Sequence, residues 1–372
     1  MPDIMKQAPR HDEARHGRVH RNAIPPQAAQ ALARLYAHPF ATWDYQHVIG
    51  AHALPHTYVA GSDETFDTVL MFRIAGRRAI VLNEFVRLDE RQLRNFAANV
   101  FSEFPQVWAV SLCAVHAALE PSGVVHQRHL DRADIVADLP ENADAYLAAL
   151  HRNTRATLRA RMNKLRREHP GVAWNLVRGA DIDADELHVL LDFNRARMRA
   201  VGKHSYNDAA LERSYLQLRH ACDATLLRVT IDGRLCAGSY NLMAGTGCFG
   251  LLNAFDAAYA RYSLGTVAAY LNVCEAIGIG ARRFHFGWEP YEYKFHLLGQ
   301  PQPSWRYELY RSRAHMAAMS GHALRATLID RVAVAKRWMQ SPQRRDSAAT
   351  RLAMAALHRV RDLRARLRGQ GS

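Results

Sequence analysis

The sequence predicts an α/β protein built from two tandem copies of one domain, each a mixed sheet flanked by helices, followed by a basic helical extension. Three observations carry that prediction. Thr68 to Ala79 (TVLMFRIAGRRA) and Thr225 to Cys236 (TLLRVTIDGRLC) each read as an apolar strand, a Gly turn followed by Arg, and the start of a return strand, which is a hairpin signal. Asn95 to Leu112 and Ala269 to Phe286 both read as a helix, a short turn and a strand. The two hairpins imply an internal duplication with a period near 157 residues, and a chain of 372 residues, 49% of them hydrophobic, can fill two cores of ordinary size.

Taken in order, residues 1–24 are polar, charged and His-rich and end in Ile24-Pro25-Pro26, the composition of a disordered arm. The first domain is expected over 25–143, opening on the helical spacing of Ala28 to Tyr36. Asp89 is placed to cap its main helix, but no Ser-x-Gly loop precedes that helix. The second domain is expected over 144–310. It begins with a helical stretch, Asp144 to His169, that carries seven basic residues from Arg152 to Arg167, Arg155 and Arg159 among them, and stops at Pro170-Gly171. Helices over Asp185 to Val201 and Tyr206 to Arg219 follow. After Tyr310 the composition turns to Ala, Arg, Leu and Met, with helices expected over Ala314 to Met339 and Ser347 to Arg368, split by Ser341-Pro342.

The net charge of +14 sits mostly in that last segment: Arg311 to Ser372 holds fourteen Lys/Arg against three Asp. The charge therefore points to a C-terminal segment for an anionic partner and leaves the body nearly balanced. Residues 347–368 form a basic amphipathic pattern, with Leu352, Ala355, Leu363 and Leu367 near one face. An anionic membrane surface, RNA and plain solvation are its three readings; membrane leads RNA because the stretch lacks stacking aromatics. The N-terminal segment lacks the apolar centre of a secretory signal and no apolar run approaches a membrane span, so a cytosolic protein, at most peripheral at the inner membrane face, is expected. The scattered cysteines, Cys113, Cys222, Cys236, Cys248 and Cys274, read as reduced core residues. No His/Cys/Asp/Glu group has metal spacing, and Walker and Gly-x-Ser-x-Gly patterns are absent, so metallohydrolase, nucleotide triphosphatase and serine hydrolase classes are set aside and no metal is expected.

The stretch from Cys248 to Gly299 concentrates the chemistry. It reads as a buried strand, a loop around Ser263-Leu264-Gly265-Thr266, a helix, a second strand and a Tyr293-Lys294 pair. Ser263 can cap the helix, Gly265 can let the backbone approach a ligand, and the N–H groups of a first helical turn favour phosphate. A plain N-cap is the alternative. Asp256 ends the strand before the loop, as a proton acceptor or as an ordinary turn-former. Glu289, between Trp288 and Pro290 at the end of the next strand, can be desolvated and so made more basic. His285 alternates with Phe284 and Phe286 and is expected to face solvent or a helix.

On the stretch LNAFDAAYARYSLGTVAAYLNVCEAIGIGARRFHFGWEPYEYKFHLLG, with the Arg-rich helix around Asn153-Thr154-Arg155 and Arg159, the second half resembles GNAT-fold acyltransferases of the CelD-like type. These are relatives of the Fem peptidyltransferases, and both groups have tandem GNAT-like domains. The resemblance covers Ala145 to Gly299 and departs in having Leu264 where Pro is frequent, and in lacking the Gln/Arg-x-x-Gly-x-Gly/Ala signature of ordinary GNAT enzymes. It implies direct attack of an acceptor amine or hydroxyl on an acyl donor, acetyl-CoA or another acyl-CoA as co-substrate, with aminoacyl-tRNA as the Fem-type alternative and a non-catalytic envelope factor as a third. The acceptor it implies is a small molecule or an envelope precursor. On that reading Arg261, Tyr262, Ser263, Leu264, Gly265 and Thr266 hold the donor's phosphates, and Lys294 binds a phosphate or carboxylate. Glu289 or Asp256 serves as base and Tyr293 as acid. Arg155, Arg159 and Trp288 meet the substrate.

Overall fold

The computed structural model describes residues 17–327 apart from 51–52, 62–64, 117–118, 201, 203–208, 323 and 325–326. The helices expected beyond residue 327, including the basic stretch 347–368, lie outside the described residues, as does most of the expected N-terminal arm. Where the arm is described it is not disordered. Arg18–His20 (β1) pairs with His56–Gly61 (β2), so order begins before the prolines.

The first half continues with β3 (Phe66–Ala75), β4 (Arg78–Val81), β5 (Ala109–Val115) and β6 (Val125–Asp138), and the second half supplies β7 (Val172–Arg178), β8 (Asp223–Ile231), β9 (Arg234–Ala244), β10 (Gly247–Phe255), β11 (Arg283–His285) and β12 (Gln300–Tyr310). The helices are α1 (Pro26–Tyr36), α2 (Trp43–Ile49), α3 (Glu90–Glu103), α4 (Ala143–Ala149), α5 (Arg152–Glu168), α6 (Ala184–Ala200), α7 (Ala209–Ala221), α8 (Leu264–Gly278), α9 (Glu292–His296) and α10 (Arg313–Ala318). All twelve strands join one mixed sheet in the order β1-β2-β3-β4-β5-β12-β6-β11-β10-β9-β8-β7. Each half therefore gives its last strand to the other: β12 lies between β5 and β6, and β6 between β12 and β11. The two copies share a single sheet, and residue 143 is not a sheet boundary.

The repeat is real, but its spacing differs from the expectation. In each half one strand runs parallel to the strand after the main helix, β4 to β5 and β10 to β11. Helix starts at 90 and 264 and strand starts at 109 and 283 are both 174 residues apart. The matched hairpins are β3–β4 and β8–β9, one strand out of step, because alternation and a Gly turn mark any hairpin and not its place in a sheet.

Local chemistry explains the main helices. The Asp89 side chain accepts from the Gln92 amide while Gln92 reaches back to the Asp89 amide, a capping box. Leu93, Phe96, Ala97 and Val100 then form the buried stripe of α3. Helix α8 is apolar nearly all round and sits inside the second core with Leu264, Val267, Ala268, Leu271 and Val273 buried. Cys236 and Cys248 are buried, and all five cysteines are free thiols. Among the described residues no helix is long and apolar enough to cross a membrane.

Candidate active site

Strands β10 and β11 are in register over only three pairs, Gly247↔Arg283 to Phe249↔His285. Beyond that point β11 ends while β10 runs on to Phe255 through a bulge between Gly250 and Leu252. The backbone turns away at Gly287, whose φ of 73° is one that L side chains resist. The strands therefore splay, and between them opens a cleft of about 380 Å³. Its far wall comes from α6 and α7, and Phe40 and Tyr45 of the first half close one side. In the first half the matching gap is filled. There Val86 bridges back to Val115, and buried Asn83 accepts from the Met71 amide and donates to the Ala41 carbonyl.

Trp288, Glu289, Tyr293 and Lys294 meet in this cleft. Lys294 is 4% exposed, and its Nζ donates to the Gly287 carbonyl at 3.3 Å. Burial pushes its pKa down to about 8, against the attraction of Glu289 and Asp134. Tyr293 hydrogen-bonds Asn253, and burial raises its phenol above the ordinary value, so the hydroxyl keeps its proton. Trp288 is held flat against Phe85, 6.1 Å between centroids and 7° between planes, with the Arg132 guanidinium 4.9 Å from its ring. Arg132 in turn pairs with Glu84, whose carboxyl burial pushes up. Glu289 is exposed at the rim, so the desolvation expected of it is not provided by the fold.

Sequence reasoning missed several lining residues. Arg197 on α6 joins Lys294, giving the lining two cations against the single carboxylate of Glu289. Beneath them Asn241 and Asn272 donate to each other's amide oxygens at 2.9 and 2.8 Å, and Asn253 accepts from Ser239 and donates to the Gly265 carbonyl. The signal for Asn272 was present: an amide in the otherwise apolar run AAYLNVCEA needs a buried partner.

Residues 152–295 match the family model described as an acetyltransferase (GNAT) domain. The chain carries a GNAT acetyltransferase domain. The fold likeness extends over both halves. The crystal structure of FemX superposes with a TM-score of 0.60 at 12% identity, covering 81% of this chain and 99% of that one. The C-terminal domain of a putative lysylphosphatidylglycerol synthetase from Agrobacterium fabrum gives a TM-score of 0.47 at 14% identity over 80% and 95% of the two chains. A tandem GNAT protein from the clavulanic acid biosynthesis pathway gives 0.37 at 12% identity over 79% and 98%. No curated protein sequence matches the chain.

Other expected site residues of the GNAT domain lie away from the cleft. Asp256 accepts from the Ala258 amide at 3.0 Å and sits 3.6 Å from Arg234, the turn-forming role. A 3₁₀ segment, Ala257–Tyr262, separates β10 from α8, so the strand does not feed the loop directly. Ser263 has φ 52° and makes no side-chain cap, because a left-handed N-cap aims its hydroxyl away from the first turn. Leu264 is buried, and Tyr262 is buried with its hydroxyl on Glu168. Arg155 donates to the Ala148 carbonyl and Arg159 is exposed; neither lines the cleft. The basic helix α5 does flank the loop, since Arg161 donates to the Arg261 carbonyl at 3.0 Å.

The structure gives Gly265 a reason besides the ligand approach expected of it. A Cβ there would stand 2.7 Å from the Phe255 ring, so the missing side chain makes room for that ring. Gly265→Ala is expected to cost ~1–3 kcal/mol through overpacking. Urea denaturation checks it, and an unchanged midpoint would leave ligand approach as the reason for the glycine.

His285 does not face solvent or a helix. It is buried, and its Nδ1 hydrogen-bonds Asp134 Oδ2 at 2.6 Å. With His38 these two form a group of three possible metal ligands, which sequence spacing could not reveal because the fold alone assembles them.

Proposed function

We propose that the chain transfers an acyl group from an acyl-CoA to an amine or hydroxyl by direct attack, with the chemistry in the cleft between β10 and β11. The observation that carries this reading is the splay of those strands within a GNAT domain, with Tyr293 and Lys294 where it opens. A thioester and an incoming nucleophile need a shared space, and the cleft between the splayed strands is large enough to hold both reacting groups. Glu289 at the rim takes the proton from the acceptor. Tyr293, held protonated by burial, gives its proton to the departing thiolate. Lys294 and Arg197 hold anionic groups of the donor, and Leu251, out of the ladder at the β10 bulge, is placed to offer its amide to the oxyanion. Trp288 packs on the substrate. Residues Arg261 to Thr266, beside α5, are assigned to the donor's phosphates. The envelope-related acceptor rests on the resemblance to Fem-type transferases, and action in the cytoplasm follows from acyl-CoA as donor.

One observation favours a second donor. The exposed cations of α5 next to Arg261 suit a polyanion larger than coenzyme A, and so an aminoacyl-tRNA. Calorimetric titration of acetyl-CoA, free coenzyme A and aminoacylated tRNA decides between them. Micromolar binding of coenzyme A supports the first reading, binding of tRNA alone moves the donor to aminoacyl-tRNA, and binding of neither removes both. With the donor known, Tyr293→Phe is expected to lower kcat ~10²-fold with KM unchanged. An equal fall in binding would make Tyr293 a packing residue.

A further inference from the structure

Lys294 is buried and yet lines the cleft where β10 and β11 part. Its backbone is pinned on both sides, the amide donating to the Tyr291 carbonyl at 3.1 Å and the carbonyl accepting from the Gly299 amide at 2.8 Å. The side chain therefore has a fixed origin. Its Nζ sits between the Gly287 carbonyl, 3.3 Å away, and the Tyr291 ring, 5.6 Å from the centroid. An ammonium has three hydrogens to place, and one protein acceptor takes one of them here. Glu289 and Asp134 attract it, but among the described residues no carboxylate forms an ion pair with it. A buried charge without a paired carboxylate is costly, which favours the neutral amine. With a pKa of about 8, about a tenth of the chains carry that amine at pH 7.

We propose that Lys294 is itself an acyl acceptor: when the second substrate is absent, its Nζ attacks the bound acyl thioester, and the chain becomes acylated at that position and closed to further turnover. The proposal rests on the acyl-CoA reading of the cleft. The bond from Nζ to the carbonyl carbon forms as the carbon–sulfur bond breaks, and one proton of the amine ends on the departing thiolate. A secondary amide and a free thiol are the products. A lysine desolvated in a pocket is the activated form of this nucleophile, and a thioester held in the same cleft meets it without a second encounter. The product suits the site better than the reactant does. The amide keeps one N–H, which goes on donating to the Gly287 carbonyl, and the unpaired buried charge is gone. In its charged form Lys294 holds the donor, and in its neutral form it competes with the acceptor. The acyl group then occupies the space between the strands that the acceptor needs.

The chain has five lysines, Lys6, Lys164, Lys203, Lys294 and Lys336, so peptide mass spectrometry can follow each one separately. Native protein incubated with acetyl-CoA and no acceptor is expected to gain an acetyl group at Lys294 faster than at the other four. Excess free coenzyme A, which fills the cleft without bringing an acyl group, is expected to remove most of that labelling. The acetylated chain is expected to melt above the unmodified one at pH 7, since the modification removes a buried charge. Calorimetric titration of coenzyme A into the same preparation separates this proposal from the reading beneath it. Coenzyme A that binds while Lys294 stays unacetylated overturns self-acylation and leaves the acyl-CoA reading standing. Labelling of Lys294 that bound coenzyme A does not slow overturns it as well, and a chain that binds no coenzyme A removes both.

Discussion

Lys294→Met is expected to lower turnover ~10²-fold or more and, at pH 7, to leave the protein more stable than the native chain. The loss follows from removing the buried cation of the cleft that the proposed mechanism sets against the donor's anionic groups. The gain follows from the same burial: a lysine with a folded pKa of about 8, against 10.5 in ordinary surroundings, costs ~3 kcal/mol while it is protonated in the fold. Methionine fills similar space without that cost. The pH dependence has a definite sign. Between about 8 and 10.5 the unfolded chain holds the proton that the folded chain has released, so native stability rises with pH across that window, and the variant lacks the rise. For kcat/KM of the free enzyme the direction reverses, because the anion-binding form of Lys294 is lost above about pH 8. Thermal melts at several pH values together with a rate profile check both. A variant that melts below the native chain at pH 7 would mean the ammonium is well solvated, and an unchanged rate would remove Lys294 from the site.

Phe249→Ala is expected to cost ~3–5 kcal/mol, the range for truncating a buried aromatic ring. The ring lies 4.5 Å from Phe40, 5.1 Å from His38 and 5.9 Å from Trp288, centroid to centroid. It therefore belongs at once to the cleft wall and to the seam where the halves meet. Chemical denaturation measures the loss. A cost below ~1 kcal/mol would show that the surrounding rings collapse into the space and that the seam is held elsewhere.

What the sequence revealed was local. The Asp89 cap, the apolar α8 and the strand-end group of Trp288, Glu289, Tyr293 and Lys294 could be read because each depends on residues close in the chain. Ser263 was singled out as a cap that its left-handed backbone does not make, and at Gly265 the ring of Phe255, which also needs the missing side chain's room, could not be foreseen. Asp134, His285 and His38 were invisible because nothing near any of them in sequence marks it as a partner of the others. The exchange of β6 and β12 was likewise beyond reach. An alternating strand says which face is buried and not which strand lies beside it.

That exchange governs how the chain can be made. During synthesis β6 emerges early, but the strands that flank it, β11 and β12, are nearly the last of the sheet to appear; Val125 waits for Tyr310. Until then β5 lacks its neighbour on that side and β6 has no sheet to join, so the first half remains an open template for wrong pairing. Folding should be slow for the chain's size, and a fragment ending at residue 143 should aggregate instead of forming a domain.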